Sequence, residues 1–239
     1  MTREEGEAQS FEFYANDFRN GGFKKYSSGN YALRNRILVR MLKKKKLNPK
    51  RIVEVAGAEG DLAEKMLKNF RIEKYIWSDF CNYTVRFVRK RLSKFGSAEV
   101  ILLDADRDWQ SIKFKDYDCF VSTSLEHLEN DLKIISSVKA GTLVVLSLPS
   151  FNAIGHVRFF RSEKEVYDRY FSLLKFLCIE KIYATTLFEI PANIQNLLHG
   201  KIRLSYFIRR TVHILHCPVQ FNRLHYCILA RRKGTIETT

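Results

Sequence analysis

An α/β fold, with helices on both faces of a mostly parallel sheet, is predicted by three features of the sequence. Strand-like apolar runs alternate with helix-length amphipathic stretches from residue 51 to residue 148, the pattern of successive βαβ units. Residues 142–147 (TLVVLS) are almost continuously apolar, as strands covered on both faces are. Ile52–Val55 runs directly into a turn of small residues, Ala56, Gly57, Ala58, Glu59 and Gly60, and then into a helical pattern opening at Asp61. With 239 residues and no repeat, linker or low-complexity tract, one domain is expected over 1–239, with 1–30 as an N-terminal extension or lid and 31–235 as the core.

The elements follow in order. The first ten residues are polar, and 11–31, rich in Phe, Tyr, Asn and Gly, reads as irregular with short helical turns. Leu33, Ile37, Leu38, Met41 and Leu42 recur at helical spacing over 31–45, and Asn48-Pro49 stops that helix. Strands are expected at 51–56, 74–78, 98–103, 118–123 and 142–148, with helices at 61–69, 83–94 and 128–137. A helix at 163–176, strands at 178–187 and 203–215 and a final strand at 224–231 complete the reading. No apolar run approaches the roughly 18 residues that span a bilayer, and the start lacks a secretory layout, so a cytoplasmic protein is expected.

The five cysteines are scattered and embedded in apolar runs, which suits buried free thiols. His213, His216 and Cys217, with His225 and Cys227, could supply zinc ligands, but alternation along two strands sends neighbouring side chains to opposite faces. Forty-one Lys and Arg against 26 Asp and Glu give a formal charge of +15. That surplus favours an anionic partner: RNA, a nucleotide-bearing substrate or an acidic membrane surface. Each basic run also has a plain reading. Lys43–Lys46 suit a helix C-terminus, and Arg86, Arg89, Lys90, Arg91 and Lys94 suit a solvated helix face.

Open parallel sheets bind ligands beyond the carboxyl ends of their strands. Small residues after the first strand let a ligand approach the backbone, and the helix N-terminus behind them offers free N–H donors. Asp79 ends the second strand, where a carboxylate accepts both hydroxyls of a ribose. Asp104 ends the third, where an adenine amino group could sit. Any one of these acids, or Glu54 in the first strand, is an ordinary helix cap or loop residue; three in register at successive strand ends are less expected by chance.

These residues resemble the class I S-adenosylmethionine (SAM)-dependent methyltransferases over roughly 30–235. Residues 53–60 (VEVAGAEG) are similar to the first motif, an acid followed by G-x-G-x-G, with Ala56 and Ala58 in place of two glycines and Gly60 retained. Such a Cβ is tolerable where φ stays negative. Asp79, followed by Phe80, matches the ribose-binding acid, and Asp104-Ala105 the adenine-contacting pair. Residues 122–128 (STSLEHL) resemble the fourth-strand motif of the type 11/12 subgroups. The resemblance implies a Rossmann-like seven-stranded sheet whose last strand is antiparallel and inserted between the fifth and sixth. It also implies SAM as cofactor, held by Glu54, Ala56, Ala58, Gly60, Asp79, Phe80, Asp104 and Ala105.

Glu126 and His127 stand where the transferable methyl would emerge, so His127 is the expected base or orienting group. Two relatives, the small-RNA 3′-end and the ubiquinone-pathway O-methyltransferases, bind a divalent metal through E-x-x-E-H and a later His. Glu126, His127 and His156 match, but Thr123 stands at the first acid position, and hard cations want several oxygens; no metal is expected. Asn152, His156 and Arg158, in the stretch after the fifth strand, are candidates for acceptor recognition. The aromatic N-terminal segment, with Tyr14 among its rings, either covers the site or packs on the sheet. The Asn-Pro-Pro-aromatic motif of amino-group methyltransferases is absent after the fourth strand, which favours O-methylation of a small hydroxylated molecule or glycan. Two alternatives stay open: an RNA methyltransferase, on the charge, and a catalytically degenerate SAM-fold protein, on Ala56 and Ala58.

Overall fold

The computed structural model describes residues 11–20, 29–152, 155–183 and 224–234. The chain opens with helices α1 (Phe11–Arg19) and α2 (Gly29–Lys44), then alternates β1 (Arg51–Glu54), α3 (Asp61–Asn69), β2 (Lys74–Asp79), α4 (Asn82–Leu92) and β3 (Ala98–Leu102). The short α5 (Ala105–Asp108), β4 (Cys119–Ser122), α6 (Asp131–Ser137) and β5 (Leu143–Pro149) follow. Helix α7 (Glu163–Tyr170) leads to β6 (Leu174–Tyr183), and β7 (Leu224–Arg232) completes one seven-stranded sheet in the order β3-β2-β1-β4-β5-β7-β6. Strands β1 to β5 pair in parallel, while β7 runs antiparallel between β5 and β6. The expected topology is therefore the observed one, inserted last strand included.

Two cores explain why the strands read as apolar throughout. On β5, Val144, Leu146 and Leu148 face one core and Leu143 and Val145 the other. Alternation along a strand sends successive side chains to opposite faces, and here helices cover both. Leu38, Met41 and Leu42 of α2 join Leu62 and Met66 of α3 and Val85, Val88 and Leu92 of α4 in the second core. Helix α6 contributes Ile134 and Ile135 to the first core, and α7 contributes Val166 and Tyr170.

Four local expectations differ from the structure. Residues 11–19 are a regular helix, with Ala15 buried beside Cys81. Residues 125–127 form a 3-10 turn, and the helix expected from 128 starts at Asp131. The helix expected over 163–176 stops at Tyr170, and β6 starts at Leu174, earlier than 178. Leu173, Leu174, Phe176 and Leu177 satisfy a helical period and a strand alternation almost equally. The ladder offered by β7, in which Leu174 lies opposite Arg232, decides for the strand. The strand expected at 203–215, and His213, His216 and Cys217 with it, lie outside the described residues.

Candidate active site

Strand order reverses between β1 and β4, since the chain builds β2 and β3 on one side of β1 before returning to its other side. At that switch point the turn after β1 takes an unusual path. Ala56 and Ala58 have φ of 52° and 48°, and Gly60, which caps α3, has 69°. The condition under which a Cβ is tolerable, a negative φ, is not met: both hold the left-handed conformation that glycine adopts at no steric cost. Gly57, between them, is irreplaceable for another reason, because a Cβ there would lie 2.0 Å from Trp77 Nε1.

Asp79 ties this turn to β2. One carboxylate oxygen accepts from Ala58 N at 3.1 Å and the other from Cys81 N at 3.0 Å. Burial pushes its carboxyl up to about 6. Each oxygen still has lone-pair capacity for a further donor. Below the turn, Arg91 of α4 donates to Glu59 O, Asp61 Oδ1 and Glu64 Oε2 at 3.1, 3.2 and 2.8 Å. Asn35 of α2 donates to Asp61 Oδ2 at 2.9 Å, and neighbouring Arg34 to Thr123 O at 3.2 Å. One helix therefore braces the carboxyl ends of both β1 and β4.

Beyond β4 the side chains converge. His127 Nδ1 lies 2.6 Å from Gly155 O and 3.0 Å from Tyr14 Oη. His156 Nδ1 lies 3.1 Å from Phe151 O. A carbonyl oxygen only accepts, so both Nδ1 atoms carry the proton and both Nε2 atoms present lone pairs. Those two Nε2 atoms stand 3.8 and 3.9 Å from Glu126 Oε1. Glu126 is buried, and its Oε2 has no hydrogen-bond partner. Burial pushes the Glu126 carboxyl up to about 7. Burial, and then His156, push His127 down to about 4, and burial also lowers His156.

Three acceptor atoms thus converge when Glu126 is ionised, and its own proton is shared among them when it is not. The three ligand atoms lie within 4.8 Å of one another, so a metal ion is the other group they could hold. A tetrahedral zinc site, with bonds of about 2.0–2.1 Å, needs ligand atoms about 3.3 Å apart, closer than these.

The remaining expected residues take mixed places. Phe80 meets Tyr14 edge-on at 5.4 Å beside Asp79. Glu54 is wholly buried on the α2–α3 side, where Tyr75 Oη donates to it at 2.8 Å and burial pushes it up to about 8. Asp104 caps α5 by accepting from Asp106 N, beside buried Ala105. Asn152 is exposed at the rim. Arg158 is a correction, since its guanidinium donates to Leu125 O, Leu128 O and Glu129 O and lies 3.6 Å from Asp131. Its donors are committed to shaping the turn after β4, not to an acceptor.

Tyr14, Gly57, Arg34 and Asp106 were not anticipated in these roles. Asp106 accepts from Glu129 N and Asn130 N at 3.1 and 2.8 Å, which docks α5 against the same turn. Only Gly57 carried a signal, as the one residue of VAGAEG flanked by two alanines. The others act across separations that leave no local pattern.

No protein-family model and no curated protein sequence matches the chain. Solved structures do match. The [4+2]-cyclase SpnF superposes with a TM-score of 0.57 at 13% identity, covering 83% of this chain and 81% of that one. The N-methyltransferase NodS from Bradyrhizobium japonicum, in complex with S-adenosylhomocysteine, gives 0.56 at 11%, covering 88% and 97%. Phosphoethanolamine N-methyltransferase 2 from Haemonchus contortus, in complex with phosphomonomethylethanolamine and S-adenosylhomocysteine, gives 0.59 at 13%. There the match covers 95% of this chain but 61% of the other. With its strand order, inserted antiparallel strand and turn after β1, this chain has the fold of the class I SAM-dependent methyltransferases.

Proposed function

We propose that this protein is a SAM-dependent methyltransferase acting on a hydroxyl group of a small molecule or glycan. The observation that carries the reading is the convergence of His127 Nε2, His156 Nε2 and Glu126 Oε1, all acceptors when Glu126 is ionised. Such a set can receive the proton of an acceptor O–H. Bound SAM would supply an electrophilic methyl group.

The residues at the switch point fit that cofactor. The left-handed turn keeps the backbone at 56–60 free of bulky side chains, Asp79 retains lone pairs for a ribose, and Phe80 and Tyr14 offer ring edges beside it. Gly60 and the N-terminus of α3 would lie next to the cofactor, with Asp104 and Ala105 near its base. Glu54 would act only from beneath the turn, by holding its charge environment. His127, fixed by Gly155 O, orients the acceptor hydroxyl and takes its proton. Glu126, poised near neutrality, shares that proton load. His156 and Asn152 line the acceptor side, and Tyr14 seats α1 over the site. Alignment of nucleophile and methyl is worth up to ~7–11 kcal/mol, and the reading needs no bound metal. One domain over 1–239 and a cytoplasmic setting belong to the same proposal; no helix among the described residues is long and apolar enough to cross a membrane.

Calorimetric titration with S-adenosylhomocysteine tests the cofactor site. Binding is expected, and Asp79→Ala should weaken it about tenfold to a hundredfold through lost charged hydrogen bonds. His127→Ala should leave that affinity unchanged and lower methyl transfer by ~10²–10⁴-fold, with EDTA without effect. Tight binding with no transfer to any hydroxylated extract would favour the degenerate reading, to which Ala56 and Ala58 point. Activity lost to EDTA and restored by a divalent ion would assign Glu126, His127 and His156 to a metal.

A further inference from the structure

Among the described residues, a concentrated share of the positive charge lies on one side. Residues 29–50 hold eight Lys and Arg, residues 82–94 hold five, and neither stretch contains an Asp or Glu. Together α2, α4 and the residues just after them carry +13, in a chain whose net charge is +15. Both helices pack on the same sheet face, flanking α3. Each runs back from the carboxyl edge to the start of the next parallel strand. Their basic C-terminal turns consequently share the edge opposite the candidate active site.

Internal pairing removes only part of this charge: Arg40 pairs with Glu180, Lys50 with Glu73, and Arg91 and Lys94 with acids of α3. The acids that α3 places between the two helices are already engaged: Glu64 with Lys68, Arg91 and Lys94, and Asp61 with Lys65 and Arg91. Lys43 reaches Asn69 at 2.7 Å, which joins the ends of α2 and α3. Arg36, Lys44, Lys45, Lys46, Arg86 and Lys90 are exposed and make no ion pair or side-chain hydrogen bond among the described residues. The helix dipole accounts for a cation or two in a last turn, but not for two stretches without a single acid.

We infer that the α2–α3–α4 face docks the phosphate backbone of a nucleic acid, separately from the methyl-transfer site. A membrane surface suits it less. Interfacial helices insert an apolar face, whereas Leu38, Met41, Leu42, Val85, Val88 and Leu92 are all buried in the core. The exposed large apolar residue on this face, Tyr83, lies under the Arg19 guanidinium at 4.7 Å. What remains is a predominantly cationic surface, which neutralises phosphates in sequence-independent fashion and releases counterions as it does so. Because the face lies away from the switch point, the bound nucleic acid is not the methyl acceptor.

Fluorescence anisotropy of a labelled single-stranded RNA 20-mer, with a duplex DNA of equal length alongside, tests this on the full chain. If about four phosphates are neutralised on the single strand, affinity should fall roughly 50-fold between 50 and 200 mM salt. The triple variant Lys44→Glu, Lys45→Glu, Lys90→Glu should lose at least tenfold at low salt while binding S-adenosylhomocysteine as the parent does. A matched variant on the other side, Lys133→Glu, Lys139→Glu, Lys175→Glu, should keep most of its affinity. The milder pair Arg86→Ala, Lys90→Ala gives the same reading if the triple variant does not fold. Equal losses in both triple variants, salt-independent binding, or tighter binding to phosphatidylserine vesicles than to either nucleic acid would each overturn the inference.

Discussion

Ala56 and Ala58 sit in a backbone conformation that costs an L-residue roughly 1–2 kcal/mol relative to glycine. Strain of this kind persists where the surroundings over-determine it. Here the Ser78 O, Asp79 and Arg91 contacts around the turn do so. Ala58→Gly should therefore raise unfolding free energy by about 1 kcal/mol, read from a urea melt. Gly57→Ala should lower it by about 1–3 kcal/mol, because the new methyl meets Trp77. If Ala58→Gly is neutral or destabilising, the left-handed turn is not the native one. The turn itself was legible in the sequence as a run of small residues after an apolar strand. Its handedness was not, because φ at an alanine is set by what anchors the turn from two other elements, β2 and α4.

The segment from Ser124 to Asn130 shows the same division at the scale of an element. That the candidate pair Glu126-His127 lies just beyond the end of β4 could be read from the strand before it. The helix expected from 128 could not form there, since Arg158, arriving from beyond β5, draws off the carbonyls of Leu125, Leu128 and Glu129. Asp106 takes up the N–H groups of Glu129 and Asn130 from the other side. A residue read as an acceptor contact proved to be a brace, because an arginine on a loop gives no sequence sign of which carbonyls it will meet. Arg158→Met should cost about 1–3 kcal/mol through unsatisfied buried carbonyls and leave S-adenosylhomocysteine affinity within a few-fold of the parent. A large loss of that affinity with unchanged stability would return Arg158 to the binding machinery. For β6, too, the fold decided what the sequence left open, since its start depends on pairing with β7.

Across the whole molecule, buried groups titrate against one another. Burial raises Asp79 to about 6, Glu59 and Glu126 to about 7 and Glu54 to about 8. Groups raised on folding contribute stability that is complete below their unfolded values near pH 4 and lost as the pH climbs through 6 to 8. His127, His156 and His225 are lowered by burial, so their contribution is complete above about pH 6.5 and lost as the pH falls toward 4. Four raised carboxyls outweigh three lowered imidazoles above about pH 4.5, so melting temperature should peak near pH 5 and fall steadily toward pH 8.5. A curve still rising at pH 8.5 would mean that these carboxyls ionise without penalty. The position of β7 has a further consequence in time. Among the described residues strand β6 pairs only with β7, and β5 completes its second ladder with the same strand. During synthesis both edges wait, unpaired and apolar, until residue 232 emerges, roughly 4–16 s after residue 149 at 5–20 residues per second. The place beside the edge strand is thus the last in this sheet to be filled, and a ribosome-bound chain carries two open edges for as long as it takes to do so.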